Sequence, residues 1–206
     1  MERMQWQDWR NATDSIGYEC GWCDRNVSSP NGMYAMDSYA HPLAALRICP
    51  HCGGPTTILV NDGLQVPGAA YGDNVADLPN GLAALYREAR ECLGVGAHHA
   101  AVMVGRKILM HVAVEQGAEA GKRFASYVDY LVSKNLVPPN SRDWVDEIRE
   151  VANDANHEIA PIAADEARSV VDFTSMLLKL LYEYPARGQR SVASRAARDA
   201  QAEPGS

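Results

Sequence analysis

The sequence predicts a mainly α-helical chain, a bundle of about five helices preceded by a small β module. Three observations carry that prediction. Of the 206 residues 47% are hydrophobic but only 7% aromatic, so Ala, Val and Leu dominate and favour helices around one real core. Beyond residue 79, five segments repeat apolar residues at helical spacing. Four of the five cysteines fall as two Cys-x-x-Cys pairs within the first 60 residues.

The β module comes first. Cys20 and Cys23 form "CGWC", and Cys49 and Cys52 form "CPHCGG". A two-residue gap lets a tight turn present two thiolates to one ion, and the glycines ease the backbone of the knuckle. Two such knuckles predict one structural zinc ion with all four positions filled. The alternative, a thioredoxin-type redox pair, lacks a surrounding βαβ pattern. His51 inside the second knuckle reads as a surface residue, and Cys92, alone on a helix, as a buried small hydrophobe. Residues 1–60 therefore read as a zinc ribbon with strands around "YECGW", "MYAM" and "TTILV" and a hairpin around "SSPNG". Such a module folds poorly without metal.

Residues 61–78 are rich in Gly, Pro, Asn and Asp and read as a linker. The first helix, "NGLAALYREARECL", runs to Gly94 with Asn80 as its expected cap. "AHHAAVMVGRKILMHVAVEQG" is apolar on nearly every side and is expected to be the central helix, with His98, His99 and His111 in the core or at an interface. "GKRFASYVDYLVSKN" repeats Phe124, Tyr127, Val128 and Leu131 at helical spacing. "PPNSRDWVDEIREVANDANH" starts after a Pro-Pro break, capped by Asn140 or Ser141. "AADEARSVVDFTSMLLKLLYEY" is expected to end at Pro185. Residues 186–206 are small, polar and mildly basic and read as a flexible tail.

The formal charge of −7 argues against coating nucleic acid by bulk electrostatics, but leaves room for a local cationic site. Residues 80–134 carry seven Lys/Arg against five Asp/Glu, and residues 135–184 four against ten. The polar opening predicts no export leader, and the most apolar run contains Arg106, Lys107 and His111, so the chain is expected to be cytoplasmic and free of the membrane.

In "IREVANDANHE", Arg149, Asn153 and His157 recur every fourth residue and stack along one side of a helix. Trp144, Ile148, Val151, Ala152 and Ala155 form the core stripe, and the column lies away from its centre. Three roles fit this geometry: a solvated polar face with His157 near a helix C-terminus, an interface between two copies, or a phosphate-handling site with Arg as donor fork and His as proton carrier.

The stretches "LYREARECLGVGAHHAAVMVGRKILMHVAVEQG", "YLVSKNLVPPNSRDWVDEIREVANDANHE" and "DEARSVVDFTSMLLKLLYEYP" resemble the family called domain of unknown function 4145, within the wider group of HEPN-like helical domains. The resemblance spans residues 79–185. Its most specific part is the run of Arg149, Asn153, Ala155 and His157, similar to the family's Arg-x-x-Gly-Asn-x-Ala-x-His pattern, with Ala152 in the glycine position and a longer Arg-to-His gap than is usual. Met110 stands where relatives show Glu after "RxxL", and Arg106 is assigned a structural role. The resemblance implies a HEPN-like helical bundle and a metal-independent RNA endonuclease of anti-phage defence, or a regulated toxin, similar to zinc-finger HEPN ribonucleases. It implies His157 as general base or acid at the ribose 2′-hydroxyl, Arg149 on the scissile phosphate and Asn153 as orienting residue. The expected partners are RNA, further copies in a homodimer or higher homo-oligomer, and a phage protein sensed by the ribbon. The alternative is a non-catalytic dimeric adaptor on the same fold.

Overall fold

A computed structural model describes residues 8–157 and 161–202. The chain divides into two compact units, Met1–Tyr71 and Gly72–Ser206.

The first unit is built from short antiparallel strands. Strand β1 (Asp8–Asn11), β4 (Gly32–Met36), β5 (Pro42–Ile48), β6 (Pro55–Leu59) and β7 (Gln65–Val66) form one sheet in the order β1-β4-β5-β6-β7. Strands β2 (Ile16–Glu19) and β3 (Asn26–Ser29) form a second, two-stranded sheet. The expected strands at Tyr18, Met33–Met36 and Thr56–Leu59 are present. The expected hairpin around "SSPNG" is not: β3 and β4 belong to different sheets. Ser29 of β3 instead ties its sheet to β5, its buried hydroxyl donating to the carbonyl of Ile48 at 2.6 Å. The β4–β5 turn is closed by Asp37, which accepts the backbone N–H groups of Tyr39 and His41 at 2.8 Å each. The sheet also extends past residue 60 into the expected linker, through β7.

The second unit is helical: α1 (Asn80–Gly94), α2 (His98–Glu115), α3 (Phe124–Ser133), α4 (Arg142–His157), α5 (Ala164–Leu178) and α6 (Tyr184–Ala202). The α1, α2 and α3 ends share one device. The N–H of Ala97, Ala118 and Leu136 reaches back to the carbonyl of Cys92, Ala113 and Leu131, and the residue before each has positive φ: Gly96, Gly117 and Asn135. Asn80 makes no capping hydrogen bond; α1 starts behind Pro79. Helix α4 starts directly after Ser141, the expected cap position.

Helix α2 is central, as its all-round apolarity implies, packing against α1, α3, α4 and α5. Ala101, Val102, Ile108, Leu109, Val112 and Ala113 are fully buried. Gly105 permits close approach of α5, since a Cβ there would lie 2.9 Å from Val170 Cγ1. Of the histidines expected in the core or at an interface, His98 is half-buried with Nδ1 3.2 Å from the Ile162 carbonyl oxygen, to which it can only donate, and His99 and His111 are exposed. Their positions on the solvent side of α2 keep them out of the core. Cys92, expected buried, is half-buried.

Helix α5 does not stop at Pro185. It passes through a π-helical turn, Lys179–Glu183, into α6, so residues 164–202 form one rod. Proline lacks the N–H and its ring crowds the carbonyl four residues back, and the wider turn before it relieves that conflict. The turn is anchored from three sides: Lys179 pairs with Asp73, Tyr182 donates to Glu115, and Glu183 accepts the N–H of Ala76 at 3.0 Å. Residues 186–202, expected as a tail, are thus helical.

Candidate functional site

The four paired cysteines meet. Each pair occupies the loop of a hairpin, Cys20 and Cys23 between β2 and β3, Cys49 and Cys52 between β5 and β6. The two loops are backbone copies of each other. Asp24 N–H donates to the Cys20 carbonyl and Gly53 N–H to the Cys49 carbonyl, both at 2.9 Å, while the N–H of Cys20 and Cys49 reaches the carbonyls of Arg25 and Gly54. The fourth residue after each first cysteine has positive φ, 53° at Asp24 and 73° at Gly53. Trp22 packs against Gly54, where a Cβ would come within 2.4 Å of its ring, and donates from Nε1 to the carbonyl of Pro55 at 2.8 Å. The second loop therefore locks onto the first.

Cys20 Sγ lies 3.7 Å from Cys52 Sγ, and Cys23 Sγ 3.9 Å from Cys49 Sγ; all four sulfurs are within 4.8 Å of one another. A tetrahedron with sulfurs about 2.3 Å from its centre has edges of about 3.8 Å, so the four thiols could hold a metal ion. The backbone N–H groups of Cys52 and His51 draw the Cys49 thiol down to about 7, whereas burial and the neighbouring sulfurs push Cys23 up to about 12. A cation bound among the four sulfurs would displace the thiol protons. Cys20 and Cys49 are buried with Tyr18, and Val27 and Ile58 pack alongside, so the cage is also the small core of this unit. His51 is exposed, as expected of a surface residue.

Helix α4 carries the second group. Of the expected core stripe Ile148 and Val151 are buried, with Val145 beside them, and the side chains of Ala152 and Ala155 lie outside the described residues. Trp144 sits at its edge, ring against ring with Phe173 at 5.2 Å and 89°, its Nε1 donating to Ser169 Oγ at 2.8 Å. These contacts fix the rotation of α4 on α5.

Arg149 lies away from Ile148, with one third of its side chain exposed. One guanidinium nitrogen contacts Asp129 Oδ1 on α3 at 2.5 Å and the other Asp146 Oδ1 on α4 at 2.8 Å, while its buried Nε makes no hydrogen bond. These residues, with Val132, Val137 and Pro138, line a groove of about 460 Å³. Asn153 and His157 follow Arg149 one and two turns along the same helix, but their side chains lie outside the described residues. Asp129 and Asp146 were not foreseen. Asp146 had a local signal, three residues before Arg149 on a helix. Asp129 had none, being 20 residues away.

Arg106 stacks over the Phe124 ring at 4.6 Å, and burial lowers its pKa. Two other arginines sit in structural networks: Arg90, nearly fully buried, donates to the Gly72 carbonyl at 2.7 Å. Arg47, fully buried, stacks on Tyr34 at 4.5 Å and reaches Asp14 at 3.3 Å.

Among the described residues, no helix is long and apolar enough to cross a membrane. The pattern of the family described as "Domain of unknown function (DUF4145)" matches residues 87–195, more than half of the chain, and the chain belongs to that family. No curated protein and no solved structure matches.

Proposed function

We propose that this DUF4145 chain is a metal-independent RNA endonuclease with a HEPN-like bundle, working in anti-phage defence or as a regulated toxin. The cysteine module is its sensing or recruiting part, and holds one structural zinc ion per chain. Zinc, when bound, cross-links the two knuckles and leaves no coordination position for catalysis.

The observation that supports the reading is the column itself. Helix α4 is unbroken from Arg142 to His157, so Arg149, Asn153 and His157 follow one another on successive turns, and Arg149 is one third exposed in the groove beside α3. In the proposed step His157 removes the proton of a ribose 2′-hydroxyl. The freed oxygen attacks the adjacent phosphorus, the bond to the 5′-oxygen breaks, and the leaving oxygen takes a proton from a histidinium. The products are a 2′,3′-cyclic phosphate and a 5′-hydroxyl. Arg149 offsets the charge that builds on the phosphoryl oxygens, and Asn153 orients His157 or the RNA. A second copy brings its own column to the same cleft. DNA lacks the attacking hydroxyl and is inert.

A second reading, a non-catalytic dimeric adaptor, is favoured by one observation. Arg149 is already neutralised by Asp129 and Asp146. The two readings separate on expression of wild type beside His157→Ala and Arg149→Ala in bacteria carrying the trigger. Growth arrest and fragmented total RNA with the wild type alone supports the nuclease. Identical growth and RNA integrity in all three, with assembly altered only in the variants, sinks it and leaves the adaptor.

A further inference from the structure

Helix α6 is the part of the bundle that no packing explains. From Arg187 to Asp199 every residue is exposed, including Val192 at 71%. An isolated helix of this length is marginal in water, so a solvated arm of this kind is held by its continuity with α5 and by few tethers. Arg190 supplies one, a two-pronged pair with Asp77 at 2.6 and 2.9 Å.

The helix carries four arginines against one aspartate, in a chain of formal charge −7. At about 100° per residue, Arg187, Arg190, Arg195 and Arg198 fall within an arc of about 140°, and Ser191 and Ser194 lie between them. From Arg187 to Arg198 the stripe runs about 16 Å along the axis, enough to follow several successive phosphates. The opposite arc holds Val192, Ala193 and Ala196. With one valine and no aromatic residue past Tyr184, it has too little apolar area to enter a lipid bilayer or to seal a coiled-coil seam.

We propose that the arginine face of α6 is a docking surface for the sugar-phosphate backbone of single-stranded RNA. Guanidinium forks and serine hydroxyls are phosphate donors, and the face carries no aromatic ring to serve as a stacking platform for bases. Phosphate contacts, which carry no sequence information, therefore dominate binding there. The choice of RNA as the polyanion rests on the nuclease reading; the binding itself does not depend on cleavage. Because α6 continues α5 as one rod, RNA held on it is tethered to the body that carries α4.

The test uses the full chain, zinc-loaded, in a His157→Ala background so that RNA stays intact. Anisotropy of a labelled single-stranded RNA of about 20 nucleotides is followed between about 50 and 200 mM salt. The combined variant Arg187→Gln, Arg195→Gln, Arg198→Gln is expected to bind at least about tenfold more weakly at low salt. Its slope of log K against log salt should be shallower by about 2, since each phosphate contact contributes about 0.7 on a single strand. Lysines at the same three positions should restore the slope. A glutamine variant that binds like its parent overturns the proposal. So does a lysine variant that binds no better than the glutamine one, or a change in oligomeric state on a sizing column, which would make α6 a contact between copies. RNA binding through α6 without cleavage by the triggered protein that keeps His157 would sink the nuclease reading alone; cleavage by that protein, with binding unchanged by the three glutamines, would sink this one alone.

Discussion

Arg149 is gripped by two carboxylates of different origin, one on its own helix and one on α3. A phosphate must displace them to reach the guanidinium. The combined variant Asp129→Asn, Asp146→Asn should therefore lower the KM for RNA several-fold with little change in kcat, measured as initial cleavage rates. The stability change should be small, about 1 kcal/mol or less, because partly exposed pairs contribute little. Unchanged KM would mean that the grip does not compete with RNA. Gly105 gives a second residue-scale prediction. Alanine there adds helix propensity of about 1 kcal/mol but drives a methyl into the stiff Val170. The clash should win, with a net loss of about 1–2 kcal/mol read from urea unfolding.

At the scale of elements, the two knuckles stand or fall together, since each supplies two of four sulfurs to one cage. Removal of metal with a chelator, or Cys49→Ser, should abolish protection from hydrogen exchange in β2, β3, β5 and β6 while far-ultraviolet circular dichroism keeps the helical signal. Loss of both together would show that the bundle depends on the ribbon. The segment before α1 is clamped differently. Hydrogen bonds from Lys179 and Arg190 hold the carboxyls of Asp73 and Asp77 below the usual carboxylate range. Depressed folded values add stability that is complete above the unfolded value, near 3.8, and lost as pH falls through the folded ones. Exchange of residues 72–79 should accelerate below about pH 4, and Asp73→Asn should show that acceleration at neutral pH. The cysteine pairs and the first four helix starts were legible because their signals are local: a two-residue gap, a periodic stripe, a Pro or Gly break. What escaped depended on distant partners. Strand β5, "PLAALRI", was not among the expected strands and is a strand because β4 and β6 flank it. Helix α6 escaped because Pro185 resembles a stop and its small polar residues resemble a tail; the π turn that admits the proline has no sequence signal of its own.

Across the molecule, charge is divided along the chain. Residues 135–184, with four Lys/Arg against ten Asp/Glu, carry most of the net negative charge, and α6 holds an exposed basic stripe. The proposed chemistry makes the column on α4 the cutting part, α6 the arm that holds the strand, and the cysteine cage the rigid base of a recognition module. The helix that carries that column was legible from one run of residues, because its period needs no tertiary information, while the side chains of Asn153 and His157 lie outside the described residues. The carboxylate grip on Arg149 was not, because half of it arrives from α3. The measurement that bears most directly on the central claim compares an RNA oligonucleotide with its 2′-deoxy counterpart in magnesium-free buffer, using the triggered, zinc-loaded protein. A HEPN-type nuclease should cleave the RNA alone, leave ends carrying 2′,3′-cyclic phosphate, and lose at least about a hundredfold in rate with His157→Ala. Cleavage of both oligonucleotides, or an undiminished rate in the variant, would contradict that claim.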